Sequence, residues 1–203
     1  MNYEAIEARI SLLEDIQAIE TLQKTYGYFF DLKMWPEVIA LFSEHAESAE
    51  ITDHGVFKGM EGIKRLYWDF IGKKGVPYPP WVMFMVMQAG GVITVSPDGT
   101  HAMGRWQTPL FEARPFGGRQ RQMWSHGYYE NEYVKEKGEW LLSKLHWNLT
   151  LWTPYESGWL KVPKLAETPF PDADAPPTAY HPYPSGFCLP FHYPHPVSEK
   201  LPA

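Results

Sequence analysis

The stretch that most constrains the fold is residues 123–152, which predicts two long strands joined by a tight turn at residues 135–138. Side chains alternate between the two faces of a strand, and neither strand here has a wholly polar face. A sheet that is apolar on both faces has to be covered on both. We therefore expect the chain's own helices on one face and a neighbouring subunit on the other. A sheet this long and aromatic, when strongly bent, encloses a cavity.

The order of the remaining elements predicts an α+β fold. Helical spacing of apolar residues predicts three helices, over residues 11–30, 35–44 and 59–72. Strand patterns follow at residues 46–52, 56–58, 82–95 and 100–112. Because helices come first and a run of antiparallel strands follows, the layout is that of α+β proteins.

Composition excludes several classes of function. A net charge of −6 and a pI near 5.7 argue against nucleic-acid binding, which needs a basic face. The single cysteine, Cys188, excludes an internal disulfide framework, and no apolar run approaches the length of a membrane span. The N-terminus carries no signal-peptide pattern. We therefore expect a soluble cytoplasmic protein without a membrane or nucleic-acid partner.

The C-terminal residues differ in character from the rest of the chain. They are rich in Pro, yet also rich in Phe and Tyr and poor in charge. A disordered tail would have more charge and fewer aromatic residues. The chain is thus expected to form one domain, residues 1–160, followed by an ordered, irregular arm, residues 161–203, that packs on the domain or on a neighbouring subunit.

Three residues are the main candidates for acid–base chemistry. Asp31 stands among aromatic residues at the end of the first helix, where desolvation would raise its pKa and make it a general base. Its alternative role is that of a helix-end cap. Tyr129 is expected to point into the cavity and to donate to a leaving hydroxyl group, with Tyr26 as a weaker candidate. Either tyrosine could equally be a core aromatic residue.

Two histidines complete the catalytic candidates because they titrate near neutral pH. His54 lies in a turn that could form the rim of the cavity, whereas His126 lies on the strand face opposite it, where an interface or core role is commoner. Seven further residues are candidates for substrate binding: Phe30, Phe84, Trp106, Trp147 and Trp152 as walls, and Tyr180 and His192 at the mouth if the arm folds over it.

No motif of a cofactor or metal enzyme is present in the sequence. It has no glycine-rich phosphate loop and no Cys/His nucleophile arrangement. His192 and His195 are three apart, but Pro194 between them prevents the helical geometry of a metal site. Neither a cofactor nor a metal is expected. Proton-transfer chemistry remains: elimination, isomerisation or deformylation.

Three segments carry a resemblance to a known family. They are residues 26–35 at the end of the first helix, residues 57–63, and residues 127–140 in the final strands. The pattern resembles the SnoaL-like group of the nuclear transport factor 2 superfamily, which also contains ketosteroid isomerases and scytalone dehydratase. The resemblance implies an α+β barrel, a cone-shaped curved antiparallel sheet closed by N-terminal helices around a pocket. It implies little about chemistry, because this fold has many functions.

Compared with scytalone dehydratase, the catalytic set is mostly absent. The aspartate at the helix end matches Asp31, but the tyrosine before it matches Phe30. The two histidines fall near Met85 and Trp106, and the serine and asparagine fall near Gly127 and Tyr129. Dehydration of scytalone itself is therefore not expected.

A narrower resemblance lies in residues 147–159, 184–187 and 190–194, which are similar to cofactorless diarylpropane lyases. It implies a lyase acting on a lignin-derived diarylpropane diol, with release of formaldehyde and formation of a stilbene. Asp31 or a nearby histidine would take a hydroxyl proton, and Tyr129 would assist loss of the α-hydroxyl. Two alternatives stay open: a dehydratase or isomerase acting on a polycyclic or phenolic ligand, and a non-catalytic binding module. A homo-oligomer, dimer or trimer, is also expected.

Overall fold

The computed structural model describes residues 2–52, 54–163, 172–178 and 181–201. The predicted α+β class is confirmed: two helices come first, a third follows a short two-stranded hairpin, and the five remaining strands come after it. The helices are α1 Tyr3–Asp31, α2 Trp35–Ala40, α3 Gly59–Lys64, which continues as a π-helix over Arg65–Ile71, and α4 Gly158–Lys161. The strands are β1 Ser48–Ile51, β2 Gly55–Lys58, β3 Met83–Val86, β4 Ala89–Val95, β5 His101–Phe116, β6 Arg119–Glu136 and β7 Glu139–Pro154.

The strands form one curved sheet in the order β2-β1-β7-β6-β5-β3, with β4 pairing to β5. The long hairpin predicted from residues 123–152 is its centre, as β6 and β7. The sheet is mixed rather than purely antiparallel, because β1 runs parallel to β7. Within the described residues its ends, β2 and β3, do not pair with each other, so the predicted barrel is an open cone.

Two boundaries differ from the sequence prediction. Helix α1 begins at Tyr3 rather than near Ser11, since Asn2 caps it by accepting the Glu4 N–H at 3.2 Å. The single strand expected over residues 82–95 divides into β3 and β4. The register shifts between Ala89 and Val92, where Gly91 leaves room for the Trp106 ring: a Cβ there would lie 2.2 Å from it.

Helix α1 is fixed over the inner face of the sheet by a buried polar network centred on Gln23. The Gln23 carbonyl oxygen accepts from the amide of Asn131 at 2.9 Å and from the Tyr133 hydroxyl at 2.7 Å. Its amide donates to Gln88 at 2.8 Å. Because every partner is buried or half-buried, the network resists sliding of α1 along the sheet.

The described residues of the C-terminal segment lie on the domain itself. Residues 172–178 run beside β2, where the Val56 N–H donates to the Ala175 carbonyl at 2.9 Å. On the outer face, Arg105 donates to the carbonyls of Leu189 and Pro190 at 2.8 and 2.6 Å. This segment therefore covers part of the face that the sequence assigned to a neighbouring subunit. The division at residue 160 stays a prediction.

No helix in the described part of the chain is both long enough and apolar enough to cross a bilayer.

Candidate active site

A cavity of about 320 Å³ lies between the inner face of the sheet, the end of α1 and the segment before β3. Six residues predicted for the site line it: Phe30, His54, Phe84, Tyr129, Trp147 and Trp152. Lys73 and Pro115 are the exposed members of its lining and mark its open end. A volume of this size is typical of a pocket for a small molecule.

Aromatic rings hold the wall beside α1 rigid. The Phe30 ring lies edge-on to Trp35 at 5.2 Å between centroids and to Phe84 at 5.8 Å. Tyr78 meets Phe84 in the same way at 5.6 Å. Edge-to-face pairs of this kind favour a fixed arrangement over a mobile one. This wall of the cavity is therefore preformed.

Tyr129 presents a buried phenol to this cavity. Its hydroxyl lies 3.4 Å from that of Tyr26, which lies 3.0 Å from that of Tyr67. Burial raises the pKa of all three hydroxyls. Tyr129 is therefore a neutral phenol at neutral pH and can donate a proton. Tyr26 stands one layer behind it, where it orients the Tyr129 hydroxyl; the catalytic role of either stays a prediction.

Asp31 is the last residue of α1 and is half-buried. Its Oδ1 accepts the Val86 N–H at 2.7 Å, which ties the helix end to β3. Burial is the main influence on its pKa and raises it, against the Val86 hydrogen bond and the charge of Lys33. Asp31 is not among the cavity-lining residues. Its negative charge nevertheless reaches Tyr129, whose pKa it raises further.

The raised pKa of Asp31 predicts how the Asp31→Asn variant responds to pH. The Asp31 carboxyl group binds its proton more tightly in the folded protein than in the unfolded chain. Protonation of Asp31 therefore contributes fully to the free energy of unfolding below about pH 3.8, and this contribution is lost as pH rises through the folded pKa. Asparagine does not titrate, so the variant does not lose stability in this way, and its side-chain oxygen can still accept the Val86 N–H. We expect the Tm of the variant, relative to wild type, to be higher at pH 7 than at pH 4. A difference that does not change with pH would contradict this.

The structure adds Glu112 to the candidate site, although the sequence did not predict it. It lies on β5, is buried, and lines the cavity. Its Oε2 accepts the Trp152 indole N–H at 2.6 Å, and its Oε1 lies 3.5 Å from Arg114 Nη1. In the sequence Glu112 stands beside arginines that suggest a solvated hairpin tip. The available signal was its alternation with Trp106, which places both on one face of the strand.

Besides Asp31, four predicted site residues are not in the cavity lining. Trp106 is packed in the core, with its indole N–H donating to the Tyr133 hydroxyl at 2.9 Å. His126 lies on the outer face beside Tyr128, where burial lowers its pKa. His192 also lies on the outer face, hydrogen-bonded to Glu130, and so is not at the mouth. Tyr26 is the fourth, behind Tyr129. Tyr180 lies outside the described residues.

Cations surround the open end of the cavity. Lys73 Nζ lies 4.2 Å from the centroid of the Tyr78 ring, and Lys33 Nζ lies 5.6 Å from that of Phe84. The Arg114 guanidinium lies 5.4 Å from the Trp152 ring. This end attracts negative charge on a ligand. Among the described residues no group of three or more metal-ligating side chains occurs.

Comparisons with known proteins agree with this architecture. The family described as SnoaL-like domain matches residues 11–146. No curated protein sequence matches the chain. A structure named as a candidate scytalone dehydratase from Novosphingobium aromaticivorans DSM 12444 is 17% identical, with a TM-score of 0.62, over 85% of this chain and 99% of that one.

Two solved hexachlorocyclohexane dehydrochlorinases are also similar. LinA-type3 from Novosphingobium barchaimii LL02 is 17% identical, with a TM-score of 0.60, over 78% of this chain and 99% of that one. LinA type 2 is 20% identical, with a TM-score of 0.60, over 84% and 99%. At these identities the likeness shows the fold alone.

Proposed function

The chain belongs to the SnoaL-like domain family, and we propose that its cavity is the active site of a cofactor-independent lyase for a hydrophobic, aromatic small molecule. One observation carries the proposal: a buried carboxylate, Glu112, and a buried neutral phenol, Tyr129, line the same ring-walled cavity. Elimination needs one group that accepts a proton and another that donates one to the leaving oxygen. Side chains of the chain itself supply both.

The spacing of these two groups constrains the substrate. In the β5–β6 register Glu112 pairs with Met123, whereas Tyr129 pairs with Trp106, six positions along the strand. Six positions correspond to roughly 20 Å between the two Cα atoms at about 3.3 Å per residue, and both side chains line the cavity between these positions. The two groups therefore contact different ends of a substrate rather than one hydroxyl group. A substrate whose two ends are conjugated through a ring can pass charge between them.

A para-hydroxyphenyl carbinol meets this requirement. Glu112 accepts the phenolic proton, the electron pair moves through the ring, and the benzylic C–O bond breaks. Tyr129 donates a proton to the departing hydroxyl group, which leaves as water, and the product is a quinone methide. Arg114 and Lys73, at the Glu112 end, stabilise the negative charge that develops on the phenolic oxygen. The cations at the mouth thus have a function in the same step.

The predicted lignin-type substrate extends this step. In a phenolic 1,2-diarylpropane-1,3-diol, loss of the α-hydroxyl as water gives the quinone methide. Removal of the γ-hydroxyl proton then breaks the Cβ–Cγ bond, releases formaldehyde and returns the electron pair to the ring, which leaves a stilbene phenolate. His54, in the cavity lining, and Asp31, within electrostatic reach of Tyr129, are the two candidates for that proton.

Incubation of the purified protein with this diol, and with the same diol methylated at the phenolic oxygen, tests the proposal. We expect stilbene absorbance and an equal amount of formaldehyde from the free phenol, and at least about 100-fold slower turnover of the methyl ether, which has no phenolic proton to remove. Equal turnover of both would overturn the through-ring step.

The other outcomes distinguish the alternatives. Loss of water without formaldehyde assigns a dehydratase, and a rearranged product of unchanged mass assigns an isomerase. Tight binding without any change in mass assigns a binding module. If calorimetry detects no binding of the free phenol or of its methyl ether, phenolic diarylpropane diols are excluded as substrates of this cavity.

A second expected result concerns the proton donor. Tyr129→Phe removes the hydroxyl that protonates the leaving group and should reduce kcat by about 100-fold, at the lower end of the usual range for a general acid. Tyr128→Phe, one position along β6 and on the outer face, is the matched control and should leave kcat unchanged. Equal kcat values for the two variants would remove Tyr129 from the mechanism.

A further inference from the structure

The N-terminal part of α1 projects from the domain. Every residue over 2–14 is exposed, and Asp15 is the first buried one. The projecting part is about 18 Å long at 1.5 Å per residue. It is the continuation of a 29-residue helix whose later turns are partly buried, so it needs no nucleation of its own.

The projecting helix carries an apolar stripe with heptad spacing. Tyr3, Ile6, Ile10 and Leu13 follow one another at intervals of three, four and three residues, and their exposed fractions are 80, 39, 50 and 65%. This is the a/d pattern of a coiled coil, with Tyr3 and Ile10 at a, and Ile6 and Leu13 at d. A β-branched residue at a with Leu at d, as in Ile10 and Leu13, favours two strands.

The stripe lies on the side of α1 opposite the residues that the helix buries. The domain side of α1 is marked by the buried residues Asp15, Ile19, Gln23 and Tyr26. At about 100° per residue, the mean direction of the stripe differs from that of these residues by roughly 165°. A second helix on the stripe would lie opposite these buried residues. On one side of the stripe, Ile10 and Leu13 border an open groove whose other wall is the β6–β7 turn, through Lys135, Gly138, Glu139 and Trp140.

The flanking charges identify the occupant and its direction. In this heptad register Arg9 is at g, and Glu7 and Glu14 are at e. In a parallel pair of identical helices each g residue faces the e residue of the following heptad, so Arg9 of one copy meets Glu14 of the other, twice by symmetry. An antiparallel pair would instead bring e residues together and oppose the glutamates.

We infer that residues 3–14 pair with the same helix of a second copy of this chain as a parallel two-stranded coiled coil. The inference is independent of the proposed chemistry, because the stripe residues are not among those lining the cavity.

Sedimentation equilibrium of the full chain tests this, with charge reversals as the discriminating variants. The wild type is expected to be a dimer, and Arg9→Glu and Glu14→Arg should each weaken it by about tenfold, since each puts two like-charged pairs into the dimer. The double variant should restore wild-type affinity. Leu13→Glu should abolish the dimer while thermal unfolding shows that the domain stays folded. A monomeric wild type, or a double variant no tighter than the single ones, overturns the inference.

The direction of pairing has its own readout. In a Cys188→Ser background, Leu13→Cys places a thiol at a d position that meets its counterpart only in a parallel, in-register pair. Mild oxidation should give a disulfide-linked dimer. A protein that sediments as a dimer but forms no such crosslink would overturn the parallel arrangement.

Discussion

Replacing Glu112 with glutamine is expected to lower the kcat for the phenolic diol by about 100- to 10,000-fold, the usual range for loss of a general base. The amide keeps an oxygen that accepts the Trp152 indole N–H, now 2.6 Å away, so the local structure is retained. It cannot take up the phenolic proton. Binding of the diol should therefore change by only a few-fold, because the rings of the cavity supply most of the contact.

The control is a carboxylate on the same sheet but outside the cavity. Glu132 lies on the outer face of β6, 3.4 Å from Lys144, with 42% of its side chain exposed. Glu132→Gln should leave kcat unchanged. Steady-state kinetics of both variants, with calorimetric binding of the diol to Glu112→Gln, separate loss of chemistry from loss of binding. Wild-type turnover in Glu112→Gln would exclude Glu112 as the proton acceptor.

The fold was predictable because its centre is a local pattern. Strands β6 and β7 are long, adjacent in sequence and joined by a tight turn, so alternation alone assigns the faces of Tyr129 and Trp147. Both line the cavity. The aromatic cavity walls were predicted by the same reasoning, because large rings on the inner face of a bent sheet point into the space that the sheet encloses.

Alternation with Trp106 indicates the face of Glu112 but does not predict the contacts of its side chain. The predicted strand ended at residue 112, whereas β5 continues to Phe116, so the residue was assigned to a strand end. Its environment depends on the pairing of Glu112 with Met123 across to β6 and on Trp152 of β7 beyond it. These are contacts between residues distant in the chain. Neither spacing nor composition encodes them.

The outer face shows the same limit. Its apolar residues indicated a covering partner, but a Pro-rich segment has no periodicity from which its path can be read. His192, expected at the cavity mouth, is instead hydrogen-bonded to Glu130. Arg105 attaches the C-terminal segment to the sheet by donating to the carbonyls of Leu189 and Pro190. Because Arg105 is distant from this segment in the sequence, no local pattern predicts the contact.

Arg105→Met is expected to destabilise the protein by about 3 kcal/mol, since removing one partner of a buried ion pair leaves the Glu130 carboxylate with the His192 hydrogen bond but without its guanidinium partner. The Arg105 side chain is 7% exposed and that of Glu130 13%, and Arg105 Nε lies 2.5 Å from Glu130 Oε2. The same guanidinium donates to the carbonyls of Leu189 and Pro190. Its loss should therefore also release this part of the C-terminal segment from the sheet.

Two measurements on the full chain check this pair of effects. Thermal unfolding should show a Tm lower by roughly 6–12 °C, as about 3 kcal/mol implies for a chain of this size. Hydrogen exchange should accelerate over residues 187–193 under native conditions, before the domain unfolds. Arg119→Met, at the exposed start of β6, is the control and should change neither quantity. If the variant loses stability but exchange over residues 187–193 stays at the wild-type rate, Arg105 stabilises the sheet without holding the segment.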